Sequence, residues 1–250
     1  MLTPDIVLNK LRCFDDTNFK FNPTLHKYTY NGEQFESVTT LVSKFHIKFD
    51  LEGKSKKIAD DSGFDQNWVK SIWGEKNRYA NEVGTFVHEW IEDYFNQKWR
   101  ELPTNPDIIH RINKFNKIYC SHLHRLVPVK FEVRVFSKKY KIAGTIDALF
   151  IYKGKLYIVD YKTNKEFRDD KHKHGRYRKL LPPFNKFYEN HLNEYSIQLC
   201  TYASILEEWG IDVAGAYLVY IGPGNEDASL IKVKDMREYI KDYFDGLSIF

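Results

Sequence analysis

The chain has 250 residues, 42% hydrophobic and 29% charged, enough for one sizeable core; its 16% aromatic content, with 17 Tyr and 18 Phe, excludes a mainly unstructured polypeptide. Lys and Arg outnumber Asp and Glu by 38 to 34, a formal charge of +4 that permits a nucleic-acid partner without demanding one. The 3 cysteines, Cys13, Cys120 and Cys200, are too scattered for a disulfide framework and too few for a four-thiolate zinc or iron-sulfur site, so any metal is expected on oxygen and nitrogen.

No apolar run approaches the roughly 20 residues that cross a bilayer, and residues 1–5 lack the basic patch and apolar stretch of a signal peptide. The expectation is a soluble, intracellular protein with no membrane partner, cytoplasmic if bacterial or phage-encoded. Along the chain, β-forming residues flank Asn31-Gly32, a dipeptide suited to a two-residue hairpin turn. Ser37 then precedes Val38, Leu41, Val42 and Phe45, the pattern of a capped short helix. Residues 50–99 read as several polar helices carrying Trp68, Trp73, Tyr79, Phe86, Trp90 and Phe95. Beyond Pro103 and Pro106, the spacing of Ile108, Ile109, Ile112, Phe115, Ile118, Tyr119 and Leu123 predicts a further helix with an apolar stripe.

After Pro128 the period changes to two. Val129, Phe131, Val133 and Val135 alternate with Lys130, Glu132 and Arg134, which predicts a half-buried strand. Two β-rich runs, 142–152 and 155–161, flank Lys153-Gly154, a second two-residue turn. A charged segment follows through Lys179 to Pro182-Pro183 and reads as a long mobile loop. Tyr195, Leu199, Tyr202, Ala203 and Leu206 outline a helix, 216–221 a strand, and 235–244 a terminal helix. The order predicts one mixed α/β domain over 1–250, a central sheet with flanking helices and a helical region at 50–125 inserted before it.

The turn at Lys153-Gly154 sets a register. If Tyr152 pairs with Lys155, every outer pair has the same sum, and Asp147 falls opposite Asp160, with Lys162 on the same face. Two carboxylates so placed repel, and a cation relieves them; hard oxygen ligands favour Mg²⁺ or Mn²⁺, and Lys162 stands ready to orient an attacking water. Such a site fits phosphodiester hydrolysis. The alternative is that Lys162 bridges two structural aspartates.

Gly144-Thr-Ile-Asp147, Val159-Asp160-Tyr161-Lys162-Thr163 and Gln198-Leu-Cys-Thr-Tyr202, in that order, resemble the motifs of the PD-(D/E)XK nuclease superfamily, RecB-like branch. Upstream, Gly84-Thr-Phe-Val-His88-Glu-Trp-Ile-Glu92 looks like the branch's helical motif with a metal-binding histidine. Ser37-Val-Thr-Thr-Leu-Val42 is similar to a segment of mitochondrial genome-maintenance exonucleases and phage relatives. The resemblance implies a restriction-endonuclease-like core over 126–222, with metal on His88, Asp147, Asp160 and the Tyr161 carbonyl. It implies catalysis by Asp147, Asp160 and Lys162, and Gln198 and Tyr202 contacting DNA or bracing the site. Glu132 resembles a further acidic position, and Glu92 shares a helix face with His88.

The same resemblance implies a Mg²⁺- or Mn²⁺-dependent DNA nuclease, an exonuclease acting on single strands or ends, in repair or recombination. A site-specific or structure-selective endonuclease and a non-catalytic DNA-binding module are the alternatives. The cysteines exclude the iron-sulfur cluster of some relatives, and no Gly-x-x-x-x-Gly-Lys loop is present for a motor. In the segment after the catalytic strand, Lys171, Lys173, Arg176 and Arg178 suit phosphate contacts as well as they suit a solvated loop.

Overall fold

The computed structural model describes residues 2–167, 172–173 and 176–247, of which 172, 173, 176, 177 and 247 by backbone alone. The chain opens with α1 (Pro4–Leu11), then a meander of β1 (Phe19–Asn22), β2 (Lys27–Tyr30) and β3 (Glu33–Ser37). Asn31 and Gly32 turn β2 into β3 with φ of 50° and 82°, as the dipeptide predicts. α2 (Val38–Ser43) starts where the Ser37 hydroxyl accepts the Thr40 N–H. The helical region contains α3 (Leu51–Ser62), α4 (Gln66–Phe95) and α5 (Pro106–Ser121). The side chains of Asp50, Asp65 and Asn105 each accept a first-turn N–H, and Gly63, at φ 73°, ends α3 in the left-handed conformation that glycine adopts most cheaply.

The remaining elements are β4 (Val127–Ser137), β5 (Ile142–Tyr152), β6 (Lys155–Lys162), the short ribbon β7 (His172–Lys173) and β8 (Arg176–Tyr177), α6 (His191–Glu208), β9 (Gly215–Tyr220), β10 (Ser229–Lys232) and α7 (Arg237–Leu247). The expected loop at 163–179 therefore holds a two-residue ribbon with the register Lys173↔Arg176. The fold is mixed α/β around an 8-stranded sheet ordered β1-β2-β3-β5-β6-β9-β10, with β4 also on β5. β6 and β9 run parallel through the crossover helix α6, and β9 and β10 antiparallel. The helical region does not precede the whole sheet: β3, upstream of it, joins β5 through Glu36↔Ile142 and Ser37↔Ala143.

Alternation along β5 and β6 divides the core into two layers. Leu149, Ile151, Leu156 and Ile158 pack with Val7, Leu41, Leu199 and Leu206 from α1, α2 and α6. Ala148, Phe150, Val159 and Tyr161 pack with Val83, Val87 and Ile91 of α4 and Ile112 and Phe115 of α5. Helices thus cover both faces, and burying two apolar faces drives the assembly. Ile109, part of the expected stripe on α5, is 40% exposed and lies outside this contact. Among the described residues, no helix is long and apolar enough to cross a membrane.

One feature of the sheet positions the site. β6 pairs with β5 from Tyr152↔Lys155 to Ala148↔Val159, and β3 pairs with β5 at residues 142 and 143. Both use the side of β5 opposite β4. Between them, residues 144–147 have no strand partner on that side. The sheet is split there.

Candidate metal centre

The turn at Lys153-Gly154 forms with φ of 48° and 71° and imposes the expected register, but the ladder stops one residue before the two aspartates. Asp147 does not face Asp160 as a strand pair. Instead its Oδ2 accepts the Tyr161 backbone N–H at 2.9 Å, so the carboxylate fills the gap where β6 leaves β5. The Lys162 carbonyl accepts the Ile221 N–H beyond β9 at 2.7 Å. Because successive carbonyls of a strand point to opposite sides, that of Tyr161 points towards the gap.

The open ladder lets elements from both faces reach one place. His88, two turns before the end of α4, brings Nδ1 to 3.4 Å from Asp147 Oδ2. Close approach of α4 depends on Gly84: a Cβ there would stand 2.9 Å from the Thr163 hydroxyl. Glu132 of β4, expected as an auxiliary position, joins them, and one ligand atom from each of His88, Glu132 and Asp147 lies within 4.8 Å of the others. β4 bends to deliver it. Its register shifts between Pro128 and Lys130, and Glu132 has φ 48°, a costly conformation for a non-glycine strand residue.

Asp160 stands beside this trio rather than within it. Its side chain is 3% exposed, and Lys162 Nζ approaches Oδ2 at 2.8 Å. Oδ2 is buried, with this ion pair as its partner. Lys162 Nζ also donates to Gln198 Oε1 at 3.3 Å, and Gln198 Nε2 donates to the Tyr202 hydroxyl at 3.4 Å. The Tyr202 ring crosses β5 at Gly144, where a Cβ would meet Tyr202 Cε1 at 2.5 Å. Gly144, Lys162, Gln198 and Tyr202 therefore form one brace across the split.

Electrostatics separates these groups. Burial, then the charge of Asp147, raises the Asp160 carboxyl to about 6 despite Lys162. Surrounding protein, then Asp147, Glu92 and Asp160, raises Glu132 to about 8. The Glu132 side chain still meets solvent. Burial opposes the charge on Lys162, but Asp160 and Asp147 outweigh it and hold the ammonium above its ordinary value. Among the described residues, no Lys or Arg forms an ion pair with Glu132 or Asp147.

The donor set fits a divalent ion: carboxylates of Glu132, Asp147 and Asp160 and the imidazole of His88 are oxygen and nitrogen ligands. Glu92 lies one turn beyond His88, where its Oε1 accepts the Asn96 amide at 3.4 Å. Of the basic residues named after β6, Lys171 lies outside the described residues, and Lys173 and Arg176 are placed by backbone alone. Arg178 is held by both carboxylate oxygens of buried Glu189. Sequence reasoning missed a row of rings beside Lys162: Tyr195, 4.5 Å under its ammonium, with Phe167, His191 and Tyr220. The four-residue spacing of His191 and Tyr195 was the only local signal.

No protein-family model matches the chain, and no curated protein is similar to it. A solved structure titled "Crystal structure of SSO0001" is similar at a TM-score of 0.32 and 13% identity, covering 100% of this chain and 86% of that one.

Proposed function

We propose that the chain is a Mg²⁺- or Mn²⁺-dependent DNA nuclease of the PD-(D/E)XK type, acting on single strands or ends. The observation that supports this reading most is the convergence at the sheet split: His88, Glu132 and Asp147 within ligand reach of one another, with the Asp160–Lys162 pair alongside. His88, Glu132, Asp147, Asp160 and the Tyr161 carbonyl would hold the ion. When bound, it supplies Lewis-acid stabilisation of negative charge on the phosphodiester. Lys162, whose ammonium Asp160 and Asp147 hold above its ordinary value, would orient the attacking water or steady a phosphoryl oxygen. Gln198 and Tyr202 fix that ammonium. Lys171, Lys173 and Arg176 suit phosphate contacts along the strand. Arg178, engaged by Glu189, suits a structural role.

The test is digestion of end-labelled single-stranded, double-stranded and circular DNA with and without Mg²⁺. Asp160→Asn and Lys162→Met are each expected to lower cleavage at least about 100-fold while leaving DNA binding largely intact. Cutting of circular DNA would turn the exonuclease into an endonuclease. Wild-type turnover by either variant, or no metal-dependent cleavage of any substrate by the wild type, would refute the reading.

A further inference from the structure

Four rings gather beside Lys162. Phe167 follows β6, His191 and Tyr195 lie one turn apart on α6, and Tyr220 ends β9 as the strand partner of Lys162. In the row beside Lys162, His191 and Tyr195 differ by 14°, Phe167 and Tyr195 by 25°, Phe167 and His191 by 37°, and Phe167 and Tyr220 by 42°. All four side chains retain partial solvent exposure.

This alignment is built. The Tyr220 hydroxyl donates to the carbonyls of Asn164 and Lys165 at 3.1 and 3.3 Å. A Cβ at Gly222 would come within 2.3 Å of that hydroxyl, so only glycine there leaves the ring its place. The Lys162 ammonium lies 4.5 Å over the Tyr195 ring, and burial, partly offset by that ammonium, pushes the Tyr195 hydroxyl up to about 12. Tyr195 therefore stays a neutral ring. Shallowly inclined, half-buried faces next to a fixed cation match a ligand that carries a π-face and a negative charge a few ångströms apart.

Resting on the nuclease reading, we infer that Phe167, His191, Tyr195 and Tyr220 form a subsite that stacks the unpaired nucleobase next to the scissile phosphate. A base inside a duplex has both faces covered by its neighbours, so this surface selects single-stranded DNA or a frayed end. It reads no sequence, because every base offers a π-face.

The experiment uses single-stranded oligonucleotides carrying 2-aminopurine at successive positions, bound to the full chain with the Asp160→Asn substitution so that binding is read without cleavage. Emission is expected to be quenched at one or two adjacent positions, and an abasic site there to raise Kd about fivefold or more. Phe167→Leu, which keeps apolar volume without a π-face, is expected to lose the quenching and the penalty of the abasic site together. No quenching at any position, or an abasic scan without effect, would overturn the subsite; the scan needs no ring variant and holds even if Phe167→Leu misfolds. Cleavage by the wild type is scored separately. Cleavage without an abasic penalty removes the subsite and leaves the nuclease, whereas an abasic penalty without cleavage leaves a base-stacking surface and removes the nuclease.

Discussion

Two groups of one histidine and two carboxylates occur among the described residues, and their charges are met in different ways. In the first, His46 Nδ1 lies 3.3 Å from Glu189 and 3.6 Å from Glu194. Arg178 grips both oxygens of Glu189, and Glu194 sits in the first turn of α6, where the helix presents positive N–H groups. The second group is His88, Glu132 and Asp147. His88 is two turns from the nearer end of α4, Glu132 is in mid-strand, and among the described residues no Lys or Arg pairs with either acid. The same residue types thus make an internally compensated joint in one place and a charge-deficient cluster in the other. Composition and distance alone do not distinguish the two groups; the direct ion pair to a cationic side chain does, and its absence among the described residues is the ground for proposing the ion at the second.

The largest expected effect breaks the comparison in one step. His88→Ala should raise the Mg²⁺ concentration for half-maximal cleavage at least about tenfold, because a donor is lost from the uncompensated group. His46→Ala should leave that concentration unchanged. Equal shifts in the two variants would show that neither histidine, or both, serves the ion, and would dissolve the distinction. Arg178→Ala sharpens it from the other side. Removing the guanidinium from buried Glu189 should cost about 2 kcal/mol in denaturant unfolding, less than a wholly stranded ion pair because Glu189 keeps further contacts. The Mg²⁺ dependence should not move.

The two groups also differ in how far the sequence revealed them. Asn31-Gly32 and Lys153-Gly154 each carry their turn in a dipeptide, and alternation then assigns β5 and β6 their faces. Asp147, Asp160 and Lys162 were legible because 15 residues and one tight turn separate the first from the last. The split of the ladder was not, since it depends on where β3, whose residues pair 106 positions downstream, meets β5. Glu132 was undervalued for a related reason: a left-handed residue in a bulged strand has no signature when it is glutamate. The His46 group joins residues up to 148 positions apart, and Arg178 looked like a free charge until Glu189 was seen behind it. α1, β1 and β10, each short, gave no pattern long enough to distinguish from a loop.

The smallest effect concerns stability without metal. Asp160 and Glu132 are raised by the surrounding protein and then by the charge of Asp147, to about 6 and about 8, from 3.8 and 4.5. A carboxyl raised on folding binds its proton more tightly in the native state, so between roughly pH 4 and 8 the folded chain holds more protons than the unfolded one. Stability must then fall as pH rises through that window. The opposite trend, from carboxyls lowered by their partners such as Asp16 and Asp235, acts below this range. In EDTA, Tm should drop by several degrees from pH 5 to pH 8.5, and Mg²⁺ should restore it most at the alkaline end, where the acids are ionised. Asp160→Asn should flatten the lower half of the curve and Glu132→Gln the upper half. Glu194→Gln, in the compensated group, should change neither. A Tm in EDTA that stays level or climbs over the window would mean the acids at the sheet split already have their countercharge, and the contrast between the two groups would be lost.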